Sequence, residues 1–379
     1  MRIIIGADLV PTTSNYNLFE KGDIETLIGN DLIDELNHAD YRIFNLETPL
    51  TDKVTPIVKC GPNFQTPLSM IRGMMKINPC FFSLANNHIL DQGEQGVINT
   101  IKCLEENKIG YGGVGENLKE ASKPYFFERK GIKAGVYCCA EHEFSIATES
   151  TYGANPFDPL ESLDHITDMK KQCDIAIVLY HGGKEHYRYP SPNLQRICRK
   201  IVDKGADLVI CQHSHCIGCE EKWNSGVIVY GQGNFLFDNS NSEFWKTGLL
   251  VVLDFDKTMK QTSVSYVPII KRDNVVRKAL NEDGESIMKQ FLYRSEEIKE
   301  AGIVEKKYHE FAQEKQWEYL NAFCGRSTRN KLFKIFDILS GYRFGKWYIN
   351  RKYSPKQRLG IHNRIRCEAH RELLLEGIK

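Results

Sequence analysis

In Leu208-Val209-Ile210-Cys211-Gln212-His213-Ser214-His215 an apolar run of strand length, Leu208–Cys211, is followed by two imidazoles. Gly205-Ala206-Asp207 precedes it, and before that Pro192–Lys204 reads as a helix. A helix, a glycine turn and a buried strand with polar residues at its C-terminal end make up the repeating unit of an α/β sheet, and such sheets place ligand sites at those strand ends. The same order recurs on either side. Ile175–Tyr180 runs into His181-Gly182-Gly183, Cys80–Leu84 into Asn86-Asn87-His88 with Asp91 beyond, Arg42–Leu46 into Glu47, and Arg2–Ile5 towards Asp8. Val227–Tyr230 precedes Gly233-Asn234-Phe235. Further strands are expected at Ile132–Cys138 and Leu249–Phe255. A helix is expected at Gly93–Asn107, where Val97, Ile101 and Leu104 keep helical spacing. The later strands lie close enough to form hairpins, so a mixed sheet is expected.

The 379 residues suit two domains, or one large α/β domain with an extension. Hydrophobic residues at 41% and charged residues at 26% are ordinary for a globular chain and exclude disorder, collagen and coiled coil. No apolar run reaches the ~18 residues of a membrane span. Met1-Arg2-Ile3-Ile4-Ile5-Gly6 enters a strand without the features of a leader, so the twelve cysteines are expected as reduced thiols in the cytoplasm. The net charge of +1 conceals a split: residues 271–379 hold 24 Lys/Arg against 15 Asp/Glu. The strand alternation also stops near Arg272. Helices are expected at Glu282–Lys299, Glu305–Phe323 and Thr328–Leu339, so the chain divides into an α/β domain at 1–270 and a basic helical extension at 271–379.

Five strand ends in order, each supplying Asp, Glu, Asn or His, point to a divalent-cation site. Mixed carboxylate, amide and imidazole donors suit Mn, Fe or Zn, and carboxylates can bridge two ions. In an extended segment His213 and His215 would lie on the same side. Each of the other candidates has two readings. Asp91 either orients His88 or caps the helix that starts at Gly93. Asn234 either bonds a ligand or turns the chain. Glu185 and His186 either line the cleft or sit in solvent. Cys211, Cys216 and Cys219 are better read as structural thiols than as a zinc site, and Gly112-Gly113-Val114-Gly115 as a turn, since it has neither a GxGxxG pattern nor a lysine.

Asp8, the Glu of Asn45-Leu46-Glu47, Asn86-Asn87-His88 with Asp91, His181-Gly182-Gly183, His213-Ser214-His215 and Gly231-Gln232-Gly233-Asn234-Phe235-Leu236-Phe237-Asp238 together resemble the CapA family of capsule and poly-γ-glutamate synthesis proteins, within the calcineurin-like metallophosphoesterase superfamily. The resemblance covers about residues 1–240. It implies a metallophosphoesterase-like sandwich with mixed central sheets flanked by helices, followed by the C-terminal helical extension. It also implies one or two divalent metal ions. Asp8 would hold one metal, Glu47 would bridge, Asn87 and His181 would hold the second, and His213 and His215 would divide between them. His88 and Asp91 would be catalytic, with His88 contacting the transition state or protonating a leaving group. Asn86, Glu185, His186 and Asn234 would meet substrate. The chain departs from the superfamily pattern at Val10, where a ligating His usually stands, and at Glu47, where the bridge is usually Asp.

Two classes of function follow. The first is a metal-dependent hydrolase, of phosphoesterase type, acting on a phosphoester or anionic polymer in capsule, poly-γ-glutamate-like or polysaccharide biosynthesis. The second is a non-catalytic assembly protein that binds an anionic polymer or a polymer synthase in the same cleft. In Lys331–Tyr353 basic and aromatic residues interleave. That segment either packs on the enzyme core or makes peripheral contact with an anionic membrane, which would be the inner face for a cytoplasmic protein. Nucleic acid is not expected as a partner.

Overall fold

The computed structural model describes residues 1–237, 242–259, 261–272, 274–322, 331–341, 343–366 and 370. Asp238, Phe323 and residues 328–330 of the expected elements lie outside them. The strands in chain order are β1 Arg2–Val10, β2 Tyr41–Leu46, β3 Phe81–Ser83, β4 Gly110–Gly112, β5 Val114–Gly115, β6 Tyr125–Arg129, β7 Ile132–Ala140, β8 Gly153–Ala154, β9 Ile175–His181, β10 Leu208–Gln212, β11 Glu220–Trp223, β12 Gly226–Val229, β13 Asn234–Phe237, β14 Thr247–Asp256, β15 Gln261–Arg272 and β16 Val275–Lys278.

Two mixed sheets result. One runs β16-β15-β14-β1-β2-β3-β4, with β13 pairing β1; the other runs β11-β12-β10-β9-β7-β6. β1 to β4 are mutually parallel, as are β7, β9, β10 and β12. Strand alternation sorts the side chains into layers. Ile3 and Ile5 of β1, Ile177 and Leu179 of β9 and Ile210 of β10 share one buried cluster between the sheets. Ile4 and Leu9 face a second cluster with helices Asn30–Asn37, Ile71–Ile77 and Gly93–Glu106. Ala176, Val178 and Val209 face a third, with Ser162–Lys170 and Pro192–Asp203. Both faces of the central strands are therefore covered, which is why they read as unbroken apolar runs. Each fully buried Val, Leu or Ile contributes roughly 1.5–3 kcal/mol.

The expected strands are present, several longer than read. β1 continues past Ile5 to Val10, with irregular pairing to β2 between Ile5 and Asp8. The glycine-rich segment, read as a turn, is two short strands: β4 ends at Gly112 and β5 begins at Val114, and the chain bends only at Gly113, where φ is +78° and a Cβ would stand 2.6 Å from the Cβ atoms of Ala85 and Cys138. The sheet does not stop at 270, because β15 crosses that position and β16 follows it. Helix Asn281–Glu297 then packs on β11 and β15. The chain accordingly divides into compact units at Met1–Glu305 and Lys306–Lys379 instead of at 270/271. The second unit contains most of helix Ile303–Ala322 and helices Lys331–Leu339, Arg343–Lys352 and Pro355–Arg366. No helix among the described residues is long and apolar enough to cross a membrane.

Candidate metal centre

Parallel pairing brings the C-terminal ends of β1, β2, β3, β9 and β10 together at one edge of the sandwich. Asp8, Glu47, His181, His213 and His215 are all buried there. Glu47, His213 and His215 each offer a donor atom within 4.8 Å of the others. His181 Nε2 lies 3.4 Å from Glu47 Oε1 and 3.0 Å from Asn87 Oδ1. His215 Nδ1 lies 3.5 Å from Asp8 Oδ2, and the His181 and His213 rings are 4.9 Å apart. All six residues expected to hold metal thus converge.

The donors are held from behind. Asn45 Nδ2 donates to Asp8 Oδ1 at 2.7 Å and lies 3.3 Å from His181 Nδ1. Asn234 Oδ1 sits 2.9 Å from His215 Nδ1, which leaves the other ring nitrogen of His215 for a cation. Asn234, read as either ligand or turn, is therefore a buried support at the start of β13. Asn86 is a correction: it is fully buried, and its amide donates to Leu46 O at 2.8 Å and Asn45 Oδ1 at 3.2 Å. It ties strand ends together, and its side-chain amide is committed to those bonds. His213 and His215 differ too from the extended pair expected. Their φ values of +87° and +52° place both in the left-handed region, which β-carbon sterics disfavour and which clusters at functional sites.

Both oxygens of Glu47, Asp8 Oδ2 and His213 Nδ1 are buried without a hydrogen-bond partner among the described residues. Unpaired buried acceptors are expensive unless a cation satisfies them. The electrostatics agree. Burial and the neighbouring Asp8 hold the Glu47 carboxyl well above its usual range. Burial pushes His181 down to about 4 and His213 well below the usual imidazole value. Burial opposes charge on His215 as well, but Glu47 and Asp8 outweigh it and raise it to about 9. Burial also pushes the Asp8 carboxyl up, and here His215 and His181 outweigh it, so it ends lowered. The donor set fits a divalent cation. Val10 adds nothing to it: it is buried among Phe237 and Trp245.

His88 lies beside this set but is not among the Glu47, His213 and His215 donors. Its Nδ1 is 2.6 Å from Asp91 Oδ2, and Phe64 stacks on its ring at 4.0 Å. Burial lowers the pKa of His88, with Asp91 pulling the other way. Helix Gly93–Glu106 has Gln92 as its N-cap and no side-chain cap bond, so Asp91 orients His88 and does not cap the helix. Two groups here were missed from sequence. Lys59, its side chain buried, pairs with Asp91 and lies 3.3 Å from His88 Nδ1. Glu143 accepts from Asn87 Nδ2 at 3.2 Å and lies 3.8 Å from His213 Nε2. Glu185 is exposed, though close enough to add to the raised Glu47 carboxyl. His186 is half-buried between Phe244 and Trp245, whose Nε1 donates to its Nε2 at 3.1 Å. Cys211, Cys216 and Cys219 are buried. A contact with Cys198 and burial raise Cys211, and burial raises the other two, so all three are protonated core thiols.

The sequence comparisons agree with this architecture. The Capsule biosynthesis protein CapA of Bacillus anthracis is 30% identical over 213 residues, covering 54% of this chain and 52% of that one. The PGA biosynthesis protein CapA of Bacillus subtilis (strain 168) is 28% identical over 204 residues, covering 53% and 54%. The chain thus spans about half the length of these relatives. A crystal structure described as a novel phosphatase, from Mycoplasma pneumoniae, overlays with a TM-score of 0.45 at 13% identity, covering 71% of this chain and 93% of that one; so slight a likeness carries no argument about chemistry. The family described as Bacterial capsule synthesis protein PGA_cap matches residues 3–239, the segment that holds the second sheet, the parallel strands of the first and the donor cluster, while β14 to β16 follow it. The chain belongs to that family.

Proposed function

We propose that the chain is a metal-dependent hydrolase of phosphoester bonds that acts in the making of a capsule or poly-γ-glutamate-like surface polymer. The observation that carries this reading is the buried Glu47 carboxyl group, neither oxygen hydrogen-bonded among the described residues, with His181, His213 and His215 beside it. Asp8, Glu47, Asn87, His181, His213 and His215 would hold one or two divalent ions, with Mn, Fe or Zn matching the donors. Such an ion supplies Lewis acidity and a water nucleophile at neutral pH. The protein supplies the rest. Asp91 fixes His88 through Nδ1, which leaves the other ring nitrogen for the departing oxygen; the protonated ring would give up its proton there and return to the neutral form with Nδ1–H still held by Asp91. Lys59 neutralises Asp91 and keeps it in place.

A second reading, a non-catalytic assembly protein that binds an anionic polymer or its synthase, is favoured by the apolar burial of Val10. Metal content after purification without chelator, measured with turnover of bis-p-nitrophenyl phosphate, separates the two. Bound metal with metal-dependent turnover supports the hydrolase. Bound metal with no ester turned over supports the assembly role, and absence of bound metal overturns the hydrolase. The ten described cysteines are free thiols, which supports a cytoplasmic setting.

A further inference from the structure

Helix Lys331–Leu339 presents two different faces. On one, Phe333 packs on Phe344 and Tyr348 of helix Arg343–Lys352, with ring centroids at 5.1 and 5.2 Å. Asp337, one turn further on, accepts the backbone N–H of Gly345 through Oδ1 at 2.7 Å. These contacts close the two helices into a hairpin. On the other face Leu332, Ile335, Phe336 and Leu339 recur at i, i+3, i+4 and i+7, with Phe336 at its edge, 6.2 Å from the Phe344 ring, which also stacks on Trp347 at 5.8 Å. They are 67%, 51%, 59% and 78% exposed, and Trp347 on the next helix is 53% exposed. Residues 331–366 contain ten Lys/Arg against a single acid, Asp337, which is buried. Arg343, Lys346, Arg351, Lys356 and Arg364 are all exposed. Ordinary surfaces scatter apolar residues singly and mix charges of both signs. This one has an apolar stripe, a surrounding field of one sign, and no exposed carboxylate among the described residues.

We propose that residues 331–366 dock the protein on an anionic lipid bilayer. The stripe enters the boundary between headgroups and acyl chains, where a Trp is favoured, and the cations meet the headgroups. A soluble polyanion would satisfy the cations but leave Leu332, Ile335, Phe336 and Leu339 in water, so a bilayer matches both features. The inference is independent of the proposed chemistry of the metal centre.

Full-length protein is sedimented with phosphatidylcholine vesicles and with vesicles containing phosphatidylglycerol, each at low and high salt. Binding to the anionic vesicles that weakens with salt is expected. A Lys346→Gln/Arg351→Gln variant should bind several-fold more weakly for each charge removed. A Leu332→Gln/Leu339→Gln variant should lose at least about tenfold, with its melting temperature unchanged, because neither side chain is buried. Three results would overturn the proposal: no vesicle binding by the full-length protein, capture by soluble polyglutamate or a polynucleotide while vesicles are ignored, or a leucine variant that melts lower yet binds vesicles as before. The last would show that the stripe packs against protein.

Discussion

At the scale of single residues, the convergence of the candidate metal donors was legible because each stands where a buried strand ends, and polar residues at that position have few structural uses. Their supports were not. Asn45 reads as one polar position inside an apolar strand, and Lys59 lies in a long stretch of polar and exposed residues whose path back to Asp91 is purely tertiary. His88 gives the sharpest test. Replacing it with Ala should leave metal stoichiometry intact and lower turnover by about 10²–10⁴-fold; loss of metal would make it a ligand instead. Lys59→Met, which keeps the length and removes the charge, should lower turnover less, since it acts through Asp91. Lys271 provides a pH test. It is buried, donates to Asn234 O at 2.9 Å, and burial lowers its pKa to about 7 although Asp8 pulls it upward. Below pH 7 the amine is charged in both folded and unfolded states, and the burial penalty is complete. Between about 7 and the usual lysine value near 10.4 the unfolded chain binds more protons, so this group makes stability rise with pH. Lys271→Met should therefore melt higher than the parent at pH 7, and the gap should narrow as pH rises towards 10. A constant gap would mean that the amine is not desolvated.

At the scale of elements, the strands with both faces buried were readable as apolar runs, and the half-exposed ones were not. β15 alternates polar and apolar residues along Ser263-Val264-Ser265-Tyr266, a short period-two signal that sequence reading passed over in favour of the end of the sheet. β13 was quoted as a motif and not as a strand, because four residues carry too little periodicity. The bend at Gly113 shows why an element can be fixed by one position. That residue passes between Ala85, just after β3 of one sheet, and Cys138 on β7 of the other, with positive φ. Gly113→Ala adds a methyl where both neighbours are backbone-anchored Cβ atoms, and strains φ as well. A loss of about 2–4 kcal/mol is expected, from overpacking and from the unfavourable backbone together. Thermal melts of the two proteins at one pH would read it as a drop of several degrees. An unchanged melting temperature would mean that the sheets separate freely at this bend.

At the scale of the molecule, the change from strands to helices and from acidic to basic charge was visible in the sequence, but it does not fall where the compact unit ends. Composition changes near Arg272, whereas packing continues to Glu305. The reason lies in helix Asn281–Glu297. Its Phe291 is fully buried, and its Arg294 donates from Nε to Gly218 O at 2.8 Å and from Nη2 to Ile217 O at 3.2 Å. Those carbonyls lie two and three residues beyond His215, so this helix braces the loop that leaves the metal centre. Ile298 and Val304 are also buried in the cluster beside β9 and β10. Two truncations distinguish a boundary set by packing from one set by composition. A chain cut after Glu305 keeps every donor and every brace, and should stay soluble, melt cooperatively and bind as much metal as the full chain. A chain cut after Lys271 loses β16 and Arg294 and uncovers the pocket of Phe291, so it should aggregate or bind metal less tightly, as measured by calorimetric titration with Mn or Zn. Equal metal affinity in the two chains would refute the brace and return the boundary to the position suggested by charge and pattern alone.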